Sequence, residues 1–96
     1  MEMMDYSNAK EIIETIDDYA IVVQYDEVIE LQCVAKVEVP SEQFAHLVKE
    51  LYDETGRRPI VFEQTTEFDG VKIVTYYLIR SNVIITSVLT YEVKPK

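Results

Sequence analysis

Five carboxylates in the first third of the sequence are the side chains best suited to hold a metal ion. Asp17 and Asp18 are adjacent, and Asp26, Glu27 and Glu30 follow shortly after them. Hard cations such as Mg²⁺ and Ca²⁺ bind oxygen ligands, so convergence of these side chains would create a cation site. The spacing does not match a calcium-binding EF-hand loop, and the glycine of that loop is missing. We therefore predict no metal and no cofactor.

The other reactive side chains are too few for a familiar catalytic arrangement. His46 is the only histidine and Cys33 the only cysteine, which leaves a zinc site short of nitrogen and sulfur ligands. His46 lies off the apolar stripe of its predicted helix, which favours a solvated residue, and Cys33 is expected to pack in the core. No serine has the context of a nucleophile elbow. We predict that the protein is not an enzyme; carboxylates acting alone in acid–base or metal chemistry are the alternative.

The negative charge of the protein is concentrated near its N-terminal end. Residues 1–30 hold nine of the 18 acidic residues and one base, whereas residues 61–96 hold four of each kind. Such a surface repels phosphate, which argues against nucleic acid and anionic membranes as direct partners and favours a basic protein surface. A charged face that only keeps the protein soluble is the alternative. The candidate partner-binding residues are Glu11, Glu14, Asp17, Asp18, Asp26, Glu27 and Glu30.

Length and composition restrict the class of protein further. A chain of 96 residues is expected to form a single domain, residues 1–96, and 48% hydrophobic with 28% charged residues are typical of a globular protein. No apolar run approaches the roughly 18 residues of a membrane-spanning helix, and the first ten residues do not resemble a signal peptide. A single cysteine fits a reducing compartment, so we expect an intracellular location, or the host cytoplasm if the protein is viral.

Two helices and five strands are predicted to position these residues. Apolar residues at helical spacing predict one helix after Ser7 and a second from Ser41 to Gly56. Alternating or apolar runs predict strands over residues 19–25, 29–39, 60–68, 71–79 and 83–93. The order α-β-β-α-β-β-β lacks a strand–helix–strand rhythm. It therefore predicts an α+β fold with a five-stranded antiparallel sheet and both helices on one face.

The last two strands are apolar on both faces. A turn at Arg80-Ser81-Asn82 would place one alternating set toward the core: Val71, Ile73, Tyr77 and Ile79 with Val83, Ile85, Leu89 and Tyr91. An antiparallel sheet that is covered on one face is normally polar on the other, so the apolar character of the second set predicts a homodimer. The predicted dimer interface consists of Val74, Tyr76, Leu78, Ile84 and Val88. Isolated exposed apolar residues on a monomer are the alternative.

The order of these segments resembles a known family. A short acidic helix precedes "KVEVPSEQFAHLVKEL", and "FEQTTEF", "TYYLI" and "VIITSVLTYEV" follow it. In element order, size and charge, residues 7–93 resemble small acidic proteins of viruses that infect thermophilic archaea, one branch of which is an anti-CRISPR against type I-D interference. The resemblance implies a dimeric inhibitor without catalysis that binds the large subunit of an effector complex. The near-neutral C-terminal two thirds departs from that pattern and favours a local acidic contact over extended nucleic-acid mimicry.

The sequence thus predicts a non-enzymatic acidic domain that binds a protein partner and forms a homodimer. Its leading specific form is a viral inhibitor of host CRISPR defence that docks on a basic surface of an effector protein. The alternative is a structural or assembly protein of a virus or archaeon that uses its apolar sheet face as an oligomer interface.

Overall fold

The computed structural model describes residues 6–25 and 35–93. The described elements, in chain order, are α1 (Tyr6–Tyr19), β1 (Ile21–Gln24), β2 (Ala35–Glu38), α2 (Ser41–Thr55), β3 (Ile60–Phe68), β4 (Val71–Arg80) and β5 (Val83–Glu92). The predicted α+β class, the two helices and the five strands are confirmed. The first part of the second predicted strand, with Cys33, lies outside the described residues.

The sheet is mixed, so the prediction of a purely antiparallel sheet is wrong. The strand order is β1-β3-β4-β5-β2. The neighbours β3, β4 and β5 are antiparallel, whereas β1 runs parallel to β3 and β2 runs parallel to β5. The first two strands do not form a hairpin; they take opposite edges of the sheet. Each pairs with a strand that follows α2 in the chain, and parallel neighbours need such a long connection.

The two helices pack on one face of this sheet, as predicted. Both contact β5 and each other, and α1 also contacts β1. α1 contributes Ala9, Ile12, Ile16 and the following Ala20 to the core, and α2 contributes Phe44, Ala45, Val48 and Leu51. These positions recur at intervals of three and four residues, so they form the stripe that an amphipathic helix buries. Neither described helix has the length and apolar character to cross a membrane.

Two of three tight turns have the backbone conformations that their residues favour, whereas in the third Ser81 has a φ of 53°, which serine rarely adopts. Gly56 ends α2 with φ of 70°, and its N–H donates to the carbonyl of Tyr52 at 2.7 Å. Asp69 and Gly70 both have positive φ, which is the two-residue hairpin that the sequence predicts between β3 and β4. The turn between β4 and β5 also has two residues, Ser81 and Asn82, because Arg80 pairs with Val83.

That two-residue turn overturns the predicted faces of β4. A turn of three residues would pair Ile79 with Val83, and a shift of one residue turns every side chain of a strand to its other face. The actual register places Val74, Tyr76 and Leu78 beside the helix-facing residues of β5, where they are 2%, 0% and 3% exposed. The helices of the same chain cover them. Their assignment to a dimer interface is therefore wrong.

The other face of the sheet, turned away from both helices, is called the outer face below. It carries Ile84 and Val88, the remaining two residues of the predicted dimer interface, and also the residues that had been expected in the core, Val71, Ile73, Tyr77 and Ile79. Ile84 is itself only 3% exposed, so Val88 is the one residue of the predicted set with substantial exposed surface. Whether the outer face meets a second chain stays a prediction.

Candidate functional site

The acids of α1 form a continuous surface on the side of the helix that points away from the core. Glu11, Glu14, Asp17 and Asp18 are all exposed, while Ile12 and Ile16 are buried beneath them. Glu11, Glu14 and Asp18 follow one another at intervals of three and four, so their carboxylates form one row of about 10 Å along the helix. The predicted partner-binding residues Asp26, Glu27 and Glu30 lie outside the described residues.

Little positive charge from the described residues neutralises this row, although Lys49 of α2 lines the same cleft as Glu11. Within the described part of the chain, Lys10 is the one base that pairs with an α1 carboxylate, at 3.9 Å from Glu14. Both side chains of that pair are about 60% exposed (60% and 62%), so water and salt weaken the attraction. The two arginines after α2, Arg57 and Arg58, form no described ion pair with it. The carboxylates of α1 therefore remain available to a cation from outside the chain.

The structure adds Glu63, on β3, to this surface. The parallel pairing of β1 with β3 places Glu63 beside Gln24, on the sheet face that carries the helices. Partial burial raises the pKa of Asp17 above its ordinary value of 3.8, and the negative charges of Glu63, Asp18 and Glu14 raise it further. The like charges of Asp17 and Glu63, which lie on two different elements, thus repel each other. Glu11, Glu14, Asp17, Asp18 and Glu63 are together called the acidic surface.

A buried hydroxyl group lies next to this surface. Tyr76 pairs with Glu63 across β3 and β4, and its ring stacks on Phe44 at a centroid distance of 5.7 Å. Burial raises the pKa of Tyr76, and the charges of Glu63 and Asp17 act in the same direction, so the hydroxyl stays protonated. Neither Tyr76 Oη nor the neighbouring Ser87 Oγ meets a hydrogen-bond partner among the described residues. A buried hydroxyl without a hydrogen bond costs stability, so both groups are expected to destabilise the core.

Sequence reasoning missed Glu63 and Tyr76 for different reasons. Glu63 is far from α1 in sequence, and no local pattern predicts that β1 pairs with β3. Its neighbours in the strand are Phe62 and Gln64, so the local sequence did not mark Glu63 as a polar residue within an apolar run. Tyr76 was assigned to the other face through the register error described above, and its buried hydroxyl follows from the correct face.

A second candidate surface is an apolar patch on the outer face. Ile21, Ile60 and Ile79 are direct neighbours on β1, β3 and β4, and they are 51%, 53% and 41% exposed. Val23 lies next to them with 38% exposure, beside Phe62. These four exposed residues, Ile21, Val23, Ile60 and Ile79, are called the outer patch. A cluster of this kind is typical of a surface that another protein covers.

The described side chains offer recognition chemistry more readily than catalysis. No group of three or more histidines, cysteines or acids in residues 6–25 and 35–93 is placed to hold a metal ion. His46 is exposed on α2, as predicted, with its Nε2 3.2 Å from Oε1 of Glu50. The acidic surface can accept hydrogen bonds from lysine or arginine side chains, and such charge-assisted bonds are the stronger kind.

Comparisons with protein-family models, curated proteins and solved structures found no match. The function therefore has to be argued from these surfaces.

Proposed function

We propose that this protein is a non-enzymatic binding domain that docks its acidic surface onto a basic surface of a partner protein. The observation that carries the proposal is the exposure of four α1 carboxylates with a single described base, Lys10, paired to them. A domain that used these acids for its own stability would surround them with its own cations.

The arrangement of the acids supports binding over helix stability. Asp17 and Asp18 lie near the C-terminal end of α1, where the helix dipole disfavours negative charge. Glu14 and Asp18 are four residues apart, so they also repel each other. Burial raises the pKa of Asp17 most, and the negative charges of Glu63, Asp18 and Glu14 raise it further. A lysine or arginine from a partner would relieve the repulsion and would form charge-assisted hydrogen bonds.

The narrower form of the proposal is a viral inhibitor of host CRISPR defence. It is supported by the resemblance of residues 7–93 to acidic proteins of archaeal viruses. In this form the partner is the large subunit of a type I-D effector complex, the acidic surface covers one of its basic regions, and the inhibitor works in the host cytoplasm. The local character of the acidic surface fits one compact contact.

Charge reversal tests the docking proposal. The triple variant Glu14→Lys, Asp17→Lys and Asp18→Lys replaces attraction to a basic surface by repulsion. We expect it to bind the purified large subunit of a type I-D effector at least about 100-fold more weakly than the unmodified protein, since each reversed contact costs on the order of 1 kcal/mol. Isothermal titration calorimetry at physiological salt measures the difference.

A matched triple variant separates a local contact from net charge. Glu42→Lys, Asp53→Lys and Glu54→Lys change the net charge equally, at exposed positions of α2. We expect this control to bind much more tightly than the α1 variant. An equal loss of affinity in the α1 and the α2 variants would show that net charge alone causes the effect. Unchanged binding of the α1 variant would refute the acidic contact. No binding of the unmodified protein would refute the narrower form. Capture from an archaeal lysate with the same three proteins then tests the general form.

The outer patch favours a second function, assembly through the sheet. Here the protein is a structural or assembly component, and the homodimer predicted from the sequence would form through Ile21, Val23, Ile60 and Ile79. Charged residues are sparse on the described outer face, where Lys36, Glu38 and Glu92 are the charged members. Because the molecule has a net charge of −9, two copies would approach most easily through such a weakly charged face.

Sedimentation velocity tests this second function. We expect a dimer at tens of micromolar and a monomer for Ile60→Lys, because the lysine would place a charge in the centre of the patch. The matched control is Val37→Lys, which changes a similarly exposed residue, 46% against 53%, on the helix-facing side of the sheet. A monomeric unmodified protein, or equal dissociation of both variants, would exclude assembly through this patch.

A further inference from the structure

The edge of the sheet at β2 offers a row of backbone hydrogen-bonding groups with which none of the described strands pairs. The N–H of Ala35 donates to the carbonyl of Asn82 at 3.1 Å, and the N–H of Val39 donates to the carbonyl of Thr86 at 2.9 Å. Successive residues of a strand point their N–H and C=O groups to alternate sides. The backbone groups of Lys36 and Glu38 therefore point away from β5. In the described sheet, β2 is the last strand on this side.

An apolar groove lies directly beside this edge. It has a volume of about 360 Å³ and lies between β2, β5 and α2. Its floor and walls include Val37, Leu47, Val83 and Ile85, and its rim carries Gln43 and Glu50. Val37 is 46% exposed because α2 does not reach across the last strand. The groove is large enough for one or two aliphatic side chains, and Val37 of β2 and the following Val39 line it.

We propose that this groove binds an extended peptide segment, which adds a strand to the edge of β2 and places an apolar side chain beside Val37. Main-chain hydrogen bonds to Lys36 and Glu38 supply affinity, and the groove selects the side chains at alternate positions.

Charge decides which peptides fit. The Glu50 carboxylate at the rim is 57% exposed and lies 3.2 Å from Nε2 of His46, which also lines the groove, and the whole molecule has a net charge of −9. An acidic peptide is therefore repelled, and a segment with a lysine or arginine next to its apolar residues is favoured. The occupant that fits is a neutral or basic extended segment of a partner protein. This site is separate from the acidic surface, so the two proposals stand or fall independently.

Nuclear magnetic resonance with a defined probe tests the proposal. The probe is a blocked eight-residue peptide that alternates valine and threonine and carries lysine at both ends. We expect its addition to shift the amide signals of β2 and of the groove side of α2, and to slow hydrogen exchange at the amides of Lys36 and Glu38 at least tenfold. No shift at about 1 mM peptide, where even a millimolar complex would be half formed, overturns the proposal.

A proline substitution tests the strand geometry within the protein. Lys36→Pro removes an N–H that points away from the sheet, and proline is tolerated at such edge positions. We expect this variant to fold, with an unchanged spectrum in β3, β4 and β5, and to lose peptide binding at least tenfold. The control Lys36→Ala keeps the N–H and loses the same charge, so it should bind as the unmodified protein does. Equal binding by both variants would contradict strand addition.

N-methylated peptides provide the same test from the side of the ligand. A strand points alternate amides to its two edges, so methylation of one alternate set should abolish binding while methylation of the other set leaves it intact. If both methylated peptides bind equally, the groove accepts a side chain without strand addition and the proposal is wrong. Protection of Lys36 and Glu38 that appears without peptide and rises with protein concentration would identify a second copy as the occupant, which also overturns it.

Discussion

The two faces of the sheet carry similar apolar residues, but both described helices pack on only one of them. On the helix side, Val61, Val74 and Leu78 are at most 3% exposed. On the outer face, their chain neighbours Ile60 and Ile79 are 53% and 41% exposed. A residue's chemical type therefore does not decide which face forms the core. Contact with α1 and α2 buries the helix side. On the outer face Tyr77 and Ile84 are also buried, at 8% and 3% exposure, so only its exposed apolar residues, such as Ile60 and Ile79, are candidates for binding.

The largest expected effect comes from shortening two neighbouring side chains on opposite faces of β4, which tests the assignment of the two faces. Leu78→Ala removes a buried side chain and leaves a cavity, so the free energy of unfolding should fall by about 2–5 kcal/mol. Ile79→Ala shortens a side chain that is 41% exposed, and it should cost about 1 kcal/mol or less. Urea unfolding followed by circular dichroism measures both values. Equal losses, or a larger loss at Ile79, would contradict the assignment of the two faces.

Local sequence patterns correctly predicted the helices and the hairpin, because these elements depend on residues that are close together in the chain. The stripes that include Ile12, Ile16, Phe44 and Val48 predicted both helices, because the apolar residues of a helix recur every three to four positions. The Asp69-Gly70 pair predicted the β3–β4 hairpin, because both residues tolerate positive φ. The exposed acids of α1 followed from the same helical spacing.

Pairings that depend on distant residues could not be predicted in this way. β1 pairs with β3 and β2 pairs with β5, both in parallel. These partners are distant in sequence, and no local signal in β1 or β2 identifies them. The length of the β4–β5 turn was ambiguous by one residue at Arg80, and that residue was enough to exchange the faces of β4. Glu63 joined the acidic surface only through the β1–β3 pairing, so it could not be placed from sequence.

Removing the hydroxyl groups of two adjacent tyrosines should change the free energy of unfolding in opposite directions. Tyr76 lies on the helix side, and its buried hydroxyl has no hydrogen-bond partner among the described residues, so Tyr76→Phe should raise the free energy of unfolding by about 1 kcal/mol. Tyr77 lies on the outer face, and its hydroxyl donates to Oε1 of Gln64 at 3.0 Å. Tyr77→Phe removes that bond and should lower the free energy of unfolding by about 0.5–1 kcal/mol. The same urea titration measures both; a loss of stability in Tyr76→Phe would show that its hydroxyl has a partner.

The smallest expected effect is the contribution of Asp17, on the helix side, to the pH dependence of the free energy of unfolding. Its pKa in the folded protein is raised above 3.8 by burial and by Glu63, Asp18 and Glu14. At pH values between the unfolded and the folded pKa, the folded protein binds more protons than the unfolded protein. The stability that protonated Asp17 contributes is therefore fully present below the unfolded pKa and is lost as pH rises through the folded pKa. Asp17→Asn should therefore unfold at higher urea than the unmodified protein at pH 7 and lose that advantage below pH 4. The Asp17 carboxyl is mostly exposed, so screening limits the difference to roughly 0.2–0.5 kcal/mol.

Asp53→Asn is the matched control for this pH dependence. Asp53 lies two residues before the last residue of α2, as Asp17 does in α1, so both substitutions remove an equivalent unfavourable interaction with the helix dipole. Only Asp17 has Glu63 as a neighbour on the sheet. The difference between the two pH profiles therefore contains the burial of Asp17 and the repulsion within the acidic surface, and only the part due to repulsion should shrink at 1 M salt, where the screening length is about 3 Å. Identical profiles would mean that Glu63 does not act on Asp17, and the acidic surface would then be limited to α1.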